Sequence, residues 1–351
     1  MSDAIITFPM LGDWFSIDPT RYFTILGRPF YWYGVIIAVG FILAVLYCSK
    51  RCAQFGITSD DFIDTLILAV PLGIICARAY YVIFYFDQYR DNLVDVFKIW
   101  EGGLAIYGGV IGGVLGIIIM CSIKKISIGA MCDVSSYGLL IGQAIGRWGN
   151  FINREAYGRV TDAFCRMGLT DPGTGATMYV HPCFLYESLW NALGLLILHI
   201  YSKKKQRRFD GQIFLMYVGW YGLGRMFIEG LRTDSLYLPN SNIRVSQLLA
   251  AASVLAVLII FFINRVFFVA DPDKLWVNRQ KARAAAAEAG DGSAVEVAVE
   301  EIEDAPTVSV IKSDLPDDQI VDEPVVEPIE VVLHDENEEN IKESVDKSDT
   351  E

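Results

Sequence analysis

Residues 146 to 158 read Gly-Arg-Trp-Gly-Asn-Phe-Ile-Asn-Arg-Glu-Ala-Tyr-Gly, placing two arginines, two asparagines and a carboxylate close together. An apolar, glycine-spaced run over 137–145 leads straight into them. If that run crosses a bilayer, Arg147 lies inside it or at its edge, where an ionised side chain costs about 2.5–3.5 kcal/mol on insertion scales. A chain keeps such a charge when it has a partner or a task. The structural alternative is an ion pair, or an arginine reaching up to headgroups. A guanidinium offers paired N–H donors in one plane, so the chemistry expected here is recognition of an anion where water is scarce.

Other charged residues fall in register with this one. Arg225, Glu229 and Arg232 are spaced four and three apart, so all three share one helix face. At a rise of 1.5 Å per residue, Arg225 lies about 21 Å along its apolar run from Gly211, while Glu187 and Arg78 sit about 9 Å and 12 Å from the ends of theirs. If the runs alternate in direction, Arg78, Arg147, Glu187, Arg225, Glu229 and Arg232 all lie in the same half of the bilayer. The other half holds only Asp64 and Asp133. A one-sided pocket with more arginine than carboxylate suits a ligand carrying one phosphate at headgroup depth.

Seven apolar segments are long enough to span a bilayer: 31–49, 62–86, 104–123, 126–145, 182–201, 211–231 and 245–269. Lys50 and Arg51 follow the first, Lys124 and Lys125 the third, and Lys203, Lys204, Lys205, Arg207 and Arg208 the fifth. Lys274, Arg279, Lys281 and Arg283 follow the seventh. Basic clusters on alternate connections predict an all-α integral membrane protein of seven transmembrane helices, its N-terminus outside and its C-terminus cytoplasmic. Glycines at every fourth position, Gly108, Gly112 and Gly116 in the third span and Gly138, Gly142 and Gly146 in the fourth, predict that these two helices pack tightly together.

The chain has 351 residues, is 53% hydrophobic and carries a net charge of −13. The acidity belongs to one end: residues 271–351 contain 24 acidic and 7 basic residues, residues 1–270 contain 18 and 22. The acidic pI therefore says nothing about the ligand of the apolar part. Low in aromatics, the tail 271–351 is expected to be disordered and cytoplasmic. Residues 1–270 form one membrane domain, with 151–181 as an external arm. Residues 1–30 lack a basic start followed by an apolar run, so no cleavable signal peptide is expected. The seven cysteines complete no metal-binding array. Cys165 and Cys183 lie toward the same side, as a pair or as free thiols.

The pattern Gly146-Arg147-x-Gly149-Asn150-Phe151-x-Asn153-x-Glu155-x-x-Gly158 resembles the signature of the phosphatidylglycerol–prolipoprotein diacylglyceryl transferases. His181-Pro182-x-x-Leu185-Tyr186-Glu187 resembles the family's fifth-helix motif, and Gly224-Arg225-x-x-x-Glu229-x-x-Arg232 its sixth. Gly102-Gly103-Leu104-x-x-Tyr107-Gly108-Gly109 is similar to the third, and Ile17-Asp18-Pro19 with Trp32-Tyr33-Gly34 to the family's start. The likeness runs from residue 8 to 270 and omits the tail.

The resemblance implies a multi-pass enzyme of the bacterial cell membrane, its site facing the outer leaflet. It would transfer the diacylglyceryl group of phosphatidylglycerol to the lipobox cysteine thiol in a preprolipoprotein signal peptide, releasing glycerol phosphate. The partners implied are phosphatidylglycerol, such signal peptides and membrane lipid, with no nucleic acid, cofactor or metal. Carried over by motif, Arg147 and Arg225 take the phosphate, Asn150 and Glu155 orient the headgroup or the arginines, and Glu229 and Arg232 support them. Tyr33 lines the lipid pocket. Gly149 and Gly158 serve the backbone through positive φ or close approach. Many members carry His where this chain has Tyr107, whose reference pKa near 10 makes a poor base. The base is left among Tyr107, His181 and Glu155. An anion or lipid transporter with an outer-leaflet arginine site is the rival reading. It predicts polar groups continuing to the cytoplasmic side and a repeat of spans, which the sequence lacks.

Overall fold

Short extended pieces occupy the chain ahead of the first long helix. In the computed structural model, which describes residues 4–289 apart from 13, 91, 205–206, 234–236 and 238–242, β1 (Ile5–Thr7) pairs with β2 (Ser16–Ile17). Strands β3 (Tyr22–Ile25) and β4 (Arg28–Tyr31) then form a hairpin about Leu26 and Gly27, both at positive φ. Eight helices follow: α1 (Trp32–Arg51), α2 (Ser59–Phe84), α3 (Ile106–Lys124), α4 (Ile128–Asn153), α5 (Cys183–Lys204), α6 (Gln212–Ile228), α7 (Val245–Phe267) and α8 (Trp276–Ala289). The chain divides into a unit over Met1–Val299 and a second over Glu300–Glu351, which lies wholly outside the described residues.

Four expectations are modified by the structure. The fold is mostly helical but not all-α: the arm 151–181 holds β5 (Met167–Thr170) and β6 (Thr177–Val180), and β5 pairs with β1 to give the sheet order β2-β1-β5-β6. Ile6 of β1 lies opposite both Ile17 and Leu169. This sheet exists because two polar stretches far apart in sequence share an apolar face. Ile6, Phe8, Met167, Leu169 and Val180 bury against Phe151 of α4 and Phe184 of α5.

Second, among the described residues six helices are long and apolar enough to cross a membrane. The seventh predicted segment, 211–231, is α6 with 17 residues, tightening into a 3-10 turn over Glu229–Leu231. Third, the glycine rows of α3 and α4 do not face each other. Those of α3 meet α2, at Cys76, Leu72 and Ala69, while Gly138 and Gly146 of α4 meet Cys48 and Ile37 of α1. A small-residue row specifies that some backbone comes close and leaves open which one. Fourth, the tail is helical at its start, where a 3-10 turn over Pro272–Lys274 leads into α8. Trp276 is buried, donating from its indole to Gly56 O at 3.0 Å and from its backbone to Asp210 Oδ2 at 2.9 Å. Residues 290–351, the rest of the expected disordered tail, lie outside the described residues.

A Cβ on Gly112 would stand 2.5 Å from Leu72 O and 2.8 Å from Gly73 Cα, whereas one on Gly113 meets nothing within 4 Å. Gly112→Ala is therefore expected to destabilise the protein by about 1–3 kcal/mol through overpacking against backbone. Its thermal midpoint in detergent micelles should fall well below that of Gly113→Ala. Equal midpoints would contradict this packing of α2 on α3.

The two acids assigned to the opposite half of the bilayer have structural work. Lys124 bonds both Asp61 and Asp64. Asp133, fully buried, accepts from Arg207 at 2.8 Å, from Gly211 N at 3.0 Å and from Phe214 N at 2.9 Å. It thus caps the start of α6 from α4, supplying an acceptor to amides that a helix N-terminus leaves free.

Candidate active site

Helix α5 begins at Cys183 directly after Pro182, a residue suited to a helix start, and carries Glu187 one turn in. Glu187 is 4% exposed, and three guanidinium groups converge on it. Arg147, from the last two turns of α4, pairs with Glu187 Oε2. Arg225, from the last turn of α6, reaches Oε1 at 3.2 Å, and Arg232, just after the 3-10 turn, reaches the same oxygen at 3.1 Å. Arg225 also pairs with Glu229 at 2.6 Å, the i,i+4 contact that their spacing predicts. The ends of α4, α5 and α6 are thereby tied at one carboxylate.

The signature residues continue outward from this knot. Arg147 Nη1 donates to Asn150 Oδ1 at 3.2 Å, and Asn150 Nδ2 donates to Glu155 Oε1 at 2.8 Å. Asn153 Nδ2 reaches that oxygen at 3.4 Å. The chain turns there because Arg154 ends α4 in the left-handed conformation. Its buried guanidinium donates to Ala4 O, Pro19 O and Asp18 Oδ1 at 2.7–2.8 Å, binding the signature to the N-terminal segment. Neither Gly149 nor Gly158 has positive φ; both serve close approach. A Cβ on Gly149 would stand 2.5 Å from the Tyr33 ring, and one on Gly158 would stand 2.6 Å from His181 Cβ. Gly158 N donates to His181 O at 2.9 Å, and Gly158 forms a bridge with Arg232. Tyr33 and His181 are thus set beside the signature by its two glycines.

A model of the prolipoprotein diacylglyceryl transferase family matches residues 21–263. The chain belongs to that family. It is 43% identical over 247 residues to the phosphatidylglycerol–prolipoprotein diacylglyceryl transferase of Limosilactobacillus reuteri, covering 68% of this chain and 89% of the relative. Against the protein of the same name from Listeria monocytogenes the identity is 47% over 243 residues, 67% of this chain and 86% of the relative. The Enterococcus faecalis protein so named is 41% identical over 269 residues, 74% and 94% of the two chains.

Within this diacylglyceryl transferase family member, two residues stand apart from the knot. Arg78 is buried but turned to other work: it donates to Val96 O at 2.7 Å, Gly102 O at 2.8 Å and Asp95 O at 2.6 Å, with its guanidinium over the Tyr89 ring. It secures the connection between α2 and α3. Tyr107 starts α3, half-exposed, with its ring 6.4 Å from that of Tyr80. Among the described residues no hydrogen bond or ring contact links it to Arg147 or Arg225. His181 Nδ1 lies 3.2 Å from Tyr186 Oη, which also lies 3.1 Å from Cys165 Sγ. Cys165 is a free thiol, so the two cysteines are not paired with each other.

Arg244 was not among the residues singled out in the sequence. It immediately precedes α7, is 4% exposed, and donates to the backbone carbonyl of Glu229 and, at 3.3 Å, to that of Arg232. Its Nε donates to Tyr237 Oη at 3.2 Å, a bond that holds this phenol below its ordinary pKa. Its position at the foot of an apolar run, like Arg147 at the head of one, was the available signal. Arg244 thus adds a fourth arginine beside Arg147, Arg225 and Arg232, anchored on backbone carbonyls rather than on a carboxylate.

Proposed function

We propose that this chain transfers the diacylglyceryl group of phosphatidylglycerol to the lipobox cysteine thiol of preprolipoproteins, the first step of bacterial lipoprotein lipidation. The observation that carries the site assignment is the convergence of Arg147, Arg225 and Arg232 on Glu187. Arg147 and Arg225 keep 23% and 18% of their side chains exposed, against 10% for Arg232. The first two thus retain surface for a ligand phosphate, while Arg232 and Glu229 hold them in place.

The reaction is a displacement at carbon. The thiol sulfur forms a bond to the terminal glyceryl carbon as that carbon's bond to the phosphate-ester oxygen breaks. The electron pair departs on glycerol phosphate, and the thiol proton passes to a base. Guanidinium donors aimed at the leaving phosphate stabilise the charge that grows there, most effectively where water is excluded. The same positive field lowers the pKa of an approaching thiol, so that a weak base suffices. We assign that role to Glu155, which is exposed, belongs to no ion pair among the described residues, and is joined to Arg147 through Asn150. His181 then positions the arm, and Tyr33 and Tyr107 face lipid.

In this reading α6 and its 3-10 turn act as the seventh span. The N-terminus is outside, as the basic clusters on alternate connections require, and the knot faces the outer leaflet. The arm 151–181 lies over the site and guides the signal peptide. The test uses the purified full chain in mixed micelles of phosphatidylglycerol with a peptide bearing a lipobox cysteine. Glycerol phosphate should appear as the peptide gains the mass of a diacylglyceryl group. A peptide of unchanged mass would overturn the reading.

A further inference from the structure

One turn beyond Glu187 on α5, at a rise of about 5.4 Å, stands Asn191, 2% exposed. It lines a small cleft, partly open to its surroundings, together with Glu187, Trp190, Tyr221, Arg225 and Ile228. Its Oδ1 is sealed from solvent and has no donor among the described residues. The neighbouring indoles cannot supply one, because Trp190 Nε1 donates to Trp220 O and Trp220 Nε1 donates to Trp190 O, each at 2.9 Å. That exchange is locked by the stacking of the two rings, whose centroids lie 4.3 Å apart. A buried acceptor left unpaired is costly, and such groups in native proteins are nearly always satisfied by protein, water or ligand.

We infer that Asn191 is a specificity-determining residue: its Oδ1 accepts a hydrogen bond from a hydroxyl of the lipid headgroup whose phosphate Arg225 holds. The inference rests on the proposed function and adds to it the part of the lipid that is read. The lining of the cleft includes both an arginine for an anion and an amide for a neutral donor. A site built to receive a hydroxyl rejects an analogue without one, because the acceptor is then left buried and bare.

The experiment compares two lipids that share the diacylglyceryl group and the phosphate: phosphatidylglycerol and phosphatidylpropanol, whose head lacks hydroxyls. Modified lipobox peptide is measured by mass, a readout common to both. The wild-type chain should prefer phosphatidylglycerol in kcat/KM by about ten- to a hundredfold. Asn191→Ala, which truncates the side chain, and Asn191→Leu, which keeps its volume, should each bring the ratio near one by slowing the phosphatidylglycerol reaction alone. Asn191→Asp, which keeps an acceptor in place, should retain the preference. An unchanged ratio in both acceptor-free variants would overturn the inference, as would an equal loss toward both lipids or a wild-type chain with no preference. A wild-type chain inert toward both lipids would instead overturn the transferase reading itself.

Discussion

Arg225→Ala is expected to reduce the rate of glycerol phosphate release at least a thousandfold. Removal of one preorganised donor at a developing oxyanion costs about 10²–10³ in kcat, and here the substitution does more than that. Arg225 pairs with Glu187 and with Glu229, which is only 1% exposed, so its loss leaves a carboxylate buried opposite no cation of its own helix. Arg225→Lys separates the two effects. A lysine restores a charge but not the planar fork that can hold a carboxylate and a phosphate at once. It should fold like the wild type yet remain slower by about 10²-fold, the value of one lost oxyanion donor. Arg147→Ala should resemble Arg225→Ala in rate. If both alanine variants release glycerol phosphate at the wild-type rate, the knot is not the site of phosphate departure.

The second large effect concerns stability. Glu187 is shared by Arg147, Arg225 and Arg232, and each of these approaches it from a different part of the fold. Glu187→Ala removes the carboxylate on which three guanidinium groups converge, while Arg225 keeps its pairing with Glu229. Breaking a buried ion pair from one side typically costs about 3–5 kcal/mol, and repulsion among the remaining charges acts in the same direction. The thermal midpoint in detergent micelles should fall by several degrees and transfer should be lost. Glu187→Gln, which keeps two polar atoms at the same place, should fall between wild type and Glu187→Ala in stability. A Glu187→Ala protein that melts with the wild type would show that the ends of α4, α5 and α6 are held by other contacts.

Much of this was legible before any coordinate. The apolar segments declare themselves because length and hydropathy are properties of contiguous residues, and six of the seven expected appear as helices able to cross a bilayer. Helical spacing alone placed Arg225 and Glu229 on one face, and the two form the expected ion pair. Depth was a cruder guide. Residue counting put Arg78 at a depth like that of Glu187, yet its guanidinium turns to the carbonyls of Asp95, Val96 and Gly102. The long side chain of an arginine reaches far enough to serve either neighbour, and counting residues along a helix cannot tell which.

By itself the amino-acid order determined the membrane-crossing segments, the signature with its arginines and asparagines, and membership in the transferase family. All of these reside in local composition or fixed spacing. Only the tertiary structure decided that α3 leans on α2 and α4 on α1, that the arm 151–181 is built of strands completed by β1, and that three arginines meet on Glu187. Arg244 joined the cluster and Arg78 left it for the same reason. Pairings between distant segments depend on which surfaces come together when the whole chain packs, and a one-dimensional pattern specifies a sticky face without specifying its partner.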